Sequence, residues 1–123
     1  MMLNGITVLV IEAEFLIALD IQRMLEGLGA GQVIFARSAQ EAHAMQGYWT
    51  DVRLAIVEIA LEQHSALRLI DQLLESRIPV VVCSADARLG RGLSEFPTIP
   101  VVTKPMAETD LVTAISQVFD PAG

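Results

Sequence analysis

Cysteine is almost absent from the chain: Cys83 stands alone among 123 residues. No intrachain disulfide can form, and the place of Cys83 inside the apolar run Val80-Val81-Val82-Cys83 reads as that of a small buried hydrophobe in a reducing cytosol. Aromatic residues make up only 5% of the sequence against a hydrophobic fraction of 53%. The core is therefore left to Ile, Leu, Val, Ala and Met, which suits a helix-covered sheet. Basic residues are few, 8 Lys and Arg against 15 Asp and Glu, for a net charge of −7. With those eight scattered singly, no patch for a phosphate backbone forms, and nucleic-acid binding is not expected. No apolar run is long enough to span a membrane, and Met1-Met2-Leu3-Asn4-Gly5 lacks the basic start of a signal peptide. Also missing is a phosphate-cradling glycine loop after any strand. Gly27, Gly29 and Gly31 follow a helix and read as its cap and turn. The expectation is one soluble, cytoplasmic domain over residues 1–123, able to bury roughly two thirds of its unfolded surface.

What is present is an alternation of strand-like and helix-like stretches. Apolar runs rich in β-branched residues at 6–11, 32–36, 54–60, 80–84 and 99–103 predict five strands. Helical spacing links Ile17, Ile21, Met24, Leu25 and Leu28, and again Leu67, Leu69, Ile70, Leu73 and Leu74. Ser38 and Glu41 have capping-box spacing for a helix to about Gln46, and Tyr48 to Asp51 predicts a partly packed loop. A last helix over 107–119 turns Leu111, Val112, Ile115, Val118 and Phe119 inward. Residues 87–96 form the weakest element, since Gly90 and Gly92 each disfavour a helix by roughly 1 kcal/mol relative to alanine; mobility is expected there. Pro100 lacks a ladder donor and puts the fifth strand at an edge. Strict alternation means an α/β, doubly wound parallel sheet with right-handed crossovers and helices on both faces.

The third strand run, Leu54-Ala55-Ile56-Val57-Glu58-Ile59-Ala60, presents one carboxylate. An ionised carboxylate inside a doubly covered strand costs several kcal/mol unless partnered, so Glu58 belongs at the strand's carboxyl end, where open α/β sheets bind ligands. Glu12 gathers at the same end after the first strand, and Ser84 and Lys104 after the fourth and fifth. Taken singly, Lys104 is equally a solvated lysine before a proline, and Ser84 a strand-end hydroxyl. His43 and His64 have no partner at metal-ligand spacing.

The runs Val8-Leu9-Val10-Ile11-Glu12, Leu54-Ala55-Ile56-Val57-Glu58, Val81-Val82-Cys83-Ser84-Ala85 and Val102-Thr103-Lys104-Pro105 together resemble the receiver domain of two-component response regulators, over essentially the whole chain. That resemblance implies a flavodoxin-like (βα)5 sheet of strand order 2-1-3-4-5. It implies that an acidic residue ending strand three accepts a phosphoryl group, here Glu58, while an acidic pair after strand one holds Mg²⁺. A hydroxyl after strand four, here Ser84, senses the phosphoryl oxygens, and a lysine after strand five, here Lys104, neutralises them.

This sequence departs from the family at both metal and acceptor. Glu12 fills the first acidic position, but Ala13 stands where a carboxylate would ligate Mg²⁺, so the site is expected to be impaired, since Mg²⁺ is held by one or two carboxylates plus phosphate oxygens and waters. Glu14 reads instead as stabilising the helix that follows. Glu58 replaces aspartate, and its extra methylene carries the carboxylate outward toward Lys104. Ala60 and the loop Leu61 to Ala66 lack the family's usual residues, proline and glycines included, and Val101 stands at the switch position that often holds Tyr or Phe. A displaced nucleophile without its metal is a poor acceptor.

The reading is thus a receiver that is not itself an enzyme and works by protein–protein interaction, without a metal cofactor. Expected partners are a histidine kinase, a phosphotransfer protein or an output domain; neither nucleic acid nor membrane is expected, and a homodimer through the last helix and strand is a habit of the family. The alternatives are a competent phosphoacceptor using Glu58, and an unrelated flavodoxin-like domain binding a nucleotide or flavin.

Overall fold

In a computed structural model, which describes residues 1–59 and 64–119, five strands and four helices alternate along the chain except between the fourth and fifth strands, where the expected strict alternation gives way to a 3-10 helix. They are β1 (Thr7–Ile11), α1 (Phe15–Gly27), β2 (Gln32–Ala36), α2 (Ala39–Ala44), β3 (Val52–Glu58), α3 (His64–Glu75), β4 (Val80–Ser84), β5 (Val101–Thr103) and α4 (Glu108–Phe119). All strand pairs are parallel, in the order β2-β1-β3-β4-β5, the flavodoxin-like order. The order reverses between β1 and β3, the switch point at which such sheets bind ligands.

Side chains alternate across each strand, and the two faces fill two separate cores. Leu9, Ala55, Val57 and Val82 pack under α2 and α3 with Leu69, Ile70 and Leu73. Val8, Val10, Leu54, Ile56 and Val81 pack under α1 and α4 with Ile21, Leu25, Leu111 and Ile115. Every residue from Leu54 to Val57 is fully buried, as a central strand covered on both faces requires. Cys83 lies in the second core, where burial above all pushes its thiol up to about 12.

Several expectations change in detail. The segment expected to loop at Tyr48 to Asp51 is a 3-10 helix, Gln46–Asp51, and Trp49 is buried in it with its indole N–H donating to the Ala42 carbonyl at 3.1 Å. Tyr48 is exposed. A large side chain with a polar handle satisfied by the preceding helix holds this short turn in place. Helix α2 stops at Ala44, two residues before the expected end, with the Ser38 hydroxyl accepting the Glu41 N–H at 3.1 Å as its spacing indicated. β5 starts two residues late, at Val101 after Pro100, and sits at the edge. Residues 87–91 form only a 3-10 helix, Ala87–Arg91, with Leu93 buried just beyond. On α3, Leu67 is half-buried and Leu74 is 39% exposed; on α4, Phe119 is 42% exposed while Ala114 takes its place inside.

The glycines after α1 serve a close approach of backbones. Leu3 N–H donates to the Leu28 carbonyl at 2.9 Å, Gly5 N–H to Gly29 at 2.7 Å and Gly31 N–H to Ile6 at 2.9 Å, clamping the first residues against the α1–β2 turn. Gly29 is left-handed (φ 101°), and a Cβ at Gly31 would lie 2.3 Å from the Gly5 carbonyl oxygen. Gly31→Ala is expected to lower stability by about 1–3 kcal/mol, since backbone rather than a side-chain tip must move; urea unfolding reads this directly. Among the described residues no helix is long and apolar enough to cross a membrane.

Candidate functional site

The ends of β1, β3, β4 and β5 bring Glu12, Glu58, Ser84 and Lys104 together at one end of the sheet. Glu12 follows β1, with its N–H donating to the Ala36 carbonyl at 3.0 Å and its side chain wholly buried. Its Oε2 accepts the Glu14 N–H at 3.0 Å. Glu14 itself occupies the N-cap of α1, so its carboxylate lies at the positive end of the helix without a side-chain capping bond, while its backbone N–H makes the contact to Glu12.

Lys104, the single lysine of the chain, reaches back across the strand ends with only 9% of its side chain exposed. Its Nζ donates to Glu58 Oε2 and lies 2.6 Å from Glu12 Oε1. The second contact is a close charge approach without hydrogen-bond alignment, so Oε1 is compensated by the ammonium's charge alone. Two carboxylates thus share one cation. Glu58 reaches Lys104 because it closes β3, opposite Cys83 of β4, and its side chain is 22% exposed. The backbone of Lys104 is fixed as well, its N–H donating to the Ser84 carbonyl at 2.8 Å, and the Lys104–Pro105 peptide is cis.

Burial pulls the Lys104 ammonium toward deprotonation, but the close contacts with the Glu12 and Glu58 carboxylates outweigh it and leave its pKa above the ordinary lysine value of 10.5. A raised pKa means that the triad's contribution to stability is intact below that value and is lost as pH climbs through the higher folded one. The stability difference between the parent and Lys104→Met is therefore expected to stay constant from neutrality to about pH 10, within the ordinary lysine range, and to shrink beyond it. Urea titrations across that range measure it.

Ser84 is buried, and its hydroxyl accepts the Asp86 N–H at 3.1 Å. Asp86 in turn accepts from Arg88 N–H at 2.9 Å and from its Nε and Nη2, each at 3.1 Å. The bonds from the Arg88 side chain and backbone hold the Asp86 carboxyl below the usual range. Neither Asp86 nor Arg88 belongs to any of the four strand-end runs; the only trace in the sequence is an Asp two residues before an Arg, ahead of a glycine-rich turn. Val101 sits half-buried in the edge strand. Ala13 borders a cavity of about 120 Å³ that Glu58, Arg37, Ser38 and Ser65 also line. Ala60 and Leu61 to Gln63 lie outside the described residues.

Neither a protein-family model nor a curated protein matches the chain. Solved structures do. Anti-anti-sigma factor PhyR from Bartonella quintana is 36% identical at a TM-score of 0.70, the match covering 92% of this chain and 46% of that one. The response regulator PhyR from Brucella abortus is 32% identical at 0.71, covering 94% and 49%. The PhyR response regulator REC domain from Erythrobacter litoralis aligns over nearly its full length, 94% of this chain and 91% of that one, at 25% identity and a TM-score of 0.75. This chain is a response-regulator receiver domain. It spans about half the length of the first two PhyR proteins.

In this receiver domain the residues at the metal position do not fit Mg²⁺. Ala13 offers no oxygen beyond its backbone, Glu12 has its oxygens engaged by Glu14 N–H and Lys104, and Glu58 is tied to Lys104 through Oε2. Mg²⁺ demands octahedral oxygen ligands, usually including free carboxylates. A cation is already in place: the ammonium takes the charge-neutralising role between the two acidic strand ends.

Proposed function

We propose that this receiver domain acts by binding protein partners in a two-component or phosphorelay pathway, with residues 1–123 as one domain, and without Mg²⁺-dependent phosphorylation of the residue ending β3. The observation that carries the reading is the shared ion pair of Lys104 with Glu12 and Glu58 beside Ala13. Phosphoryl transfer depends on a free, positioned nucleophile and on metal charge at the transferring group. Glu58 is occupied by Lys104, and the metal's place lacks its ligand. The ion pair of a negative charge at the end of β3 with Lys104 supports a domain held constitutively in one state, with Glu58 standing in for a phosphorylated residue.

Partners follow from the same reading: a histidine kinase, a phosphotransfer protein or an output domain, in the cytosol, with no nucleic acid or membrane, and with a second copy of the chain as a further candidate. A similar protein is named an anti-anti-sigma factor, and we place this domain in a regulatory cascade of that kind. Phe15 and Leu16, each almost three-quarters exposed at the start of α1 next to the site, supply apolar contact area for such a partner. In this role the domain catalyses no reaction of its own.

Intact-mass measurement after incubation with Mg²⁺ and acetyl phosphate tests the proposal. The expected result is an unchanged mass. A stoichiometric gain of one phosphoryl group, abolished in Glu58→Gln, would instead make Glu58 a working acceptor.

A further inference from the structure

At the opposite end of the sheet from Glu58, a cleft of about 440 Å³ opens between the 3-10 helix Gln46–Asp51 and the turn after α3. Two arginines line it, Arg53 and Arg77, with the polar side chains of Thr50, Ser76 and Gln46, and no acidic residue does. Both arginines are exposed, and among the described residues neither guanidinium pairs with a carboxylate, whereas Arg37 and Arg88 each do. Arg53 is oriented by its own loop, Nη1 donating to the Thr50 carbonyl at 2.9 Å and to Val52 at 3.3 Å.

Arg77 occupies a position whose backbone asks for another residue. Ile78 N–H donates to the Leu73 carbonyl and Arg77 N–H to Leu74, both at 2.9 Å, the paired bonds of a helix end whose terminal residue is left-handed. That residue is Arg77, at φ 62°. Glycine adopts this conformation freely and an arginine only at a cost, so the side chain is kept against the local preference. Strain retained at a solvent-facing cleft points toward function.

We infer that the Arg53–Arg77 cleft is a binding site for a small dianionic oxyanion of the phosphate class. Two planar guanidinium groups with no carboxylate partner among the described residues match the oxygens of such an anion, and the hydroxyls of Thr50 and Ser76 add donors without adding charge. In a chain of net charge −7 this is a local concentration of positive charge with no carboxylate in its lining. The ligand is read by the phosphate group, either as free phosphate or as the end of a small phosphomonoester that fills the remaining cleft.

The test is a titration of the whole chain with inorganic phosphate and, separately, ribose 5-phosphate, at constant ionic strength, following the arginine Nε–Hε NMR signals. Saturable shifts of Arg53 and Arg77 are expected. Affinity should fall by about ten-fold or more in Arg77→Gly and in Arg53→Gln, the loss of one charged hydrogen-bonding partner, and stay unchanged in Arg68→Gln on the exposed side of α3. Equal affinity for the two ligands identifies free phosphate as sufficient, and tighter binding of the ester identifies the larger ligand; both support the site. Arg77→Gly should unfold at the same or a higher urea concentration than the parent. Non-saturating shifts common to all arginines, parent-like binding by Arg77→Gly, or a lower unfolding midpoint for that variant would overturn the inference.

Discussion

Lys104→Met is expected to destabilise the domain by about 3–5 kcal/mol, the usual cost of removing one partner from a buried ion pair. Its size comes from what is left behind. Glu12 has no exposed side-chain surface, and one of its oxygens has no partner besides the ammonium, so removing Nζ strands a charge in a place water does not reach. Glu58, 22% exposed, recovers part of its hydration and contributes less. The effect should therefore be reversed mainly from the Glu12 side: Glu12→Gln combined with Lys104→Met is expected to restore most of the stability, and Glu58→Gln combined with Lys104→Met only a minor part. Urea unfolding of the single and double variants decides this. Equal rescue from both sides would mean that the two carboxylates are equally dependent on Lys104.

The second large effect is a gain. Ala13→Asp with Glu58→Asp is expected to convert the domain into one that takes a phosphoryl group from acetyl phosphate in a Mg²⁺-dependent way, visible as a mass increase that disappears with a chelator. The aspartate at position 13 returns an oxygen ligand where the structure has only a methyl group, and the shorter side chain at position 58 withdraws its carboxylate from Lys104, freeing both nucleophile and ammonium. Neither substitution alone should suffice, because an unfilled metal position or a tied nucleophile each blocks transfer. Phosphorylation of Ala13→Asp alone at the rate of the pair would show that the ion pair with Lys104 is no obstacle.

The strand ends could be read from residue order because the physics there is local. A fully buried parallel strand has to be a continuous apolar run, so 54–57 and 80–83 announced themselves, and the polar residue that closes each run marks the edge where the candidate site lies. Pro100 likewise placed β5 outside. Trp49 carries a weaker signal: the six residues Gln46–Asp51 carry no clear period, and the meeting of its indole with the Ala42 carbonyl, which anchors their short helix, is visible only in three dimensions. The site was legible as a set of positions and less so as a set of contacts. That Lys104 would reach Glu58 followed from one extra methylene; that it would also meet Glu12 depends on the distance between two strand ends 92 residues apart in sequence. Glu14 adds a contact that residue type does not announce: it sits at the helix start as an acidic residue should, and its backbone N–H also holds the Glu12 carboxylate.

Because Lys104 is the chain's single lysine and lies inside the shared ion pair, the protein offers almost no side-chain amine to its surroundings. Reagents and enzymes that acylate lysines find their one target protonated, buried and held from two sides, and apart from the terminal amine the folded surface should be inert to them. The acylation rate at Lys104 then reports how often the triad opens, and a partner that loosens or tightens the strand ends would register as a change in that single reaction.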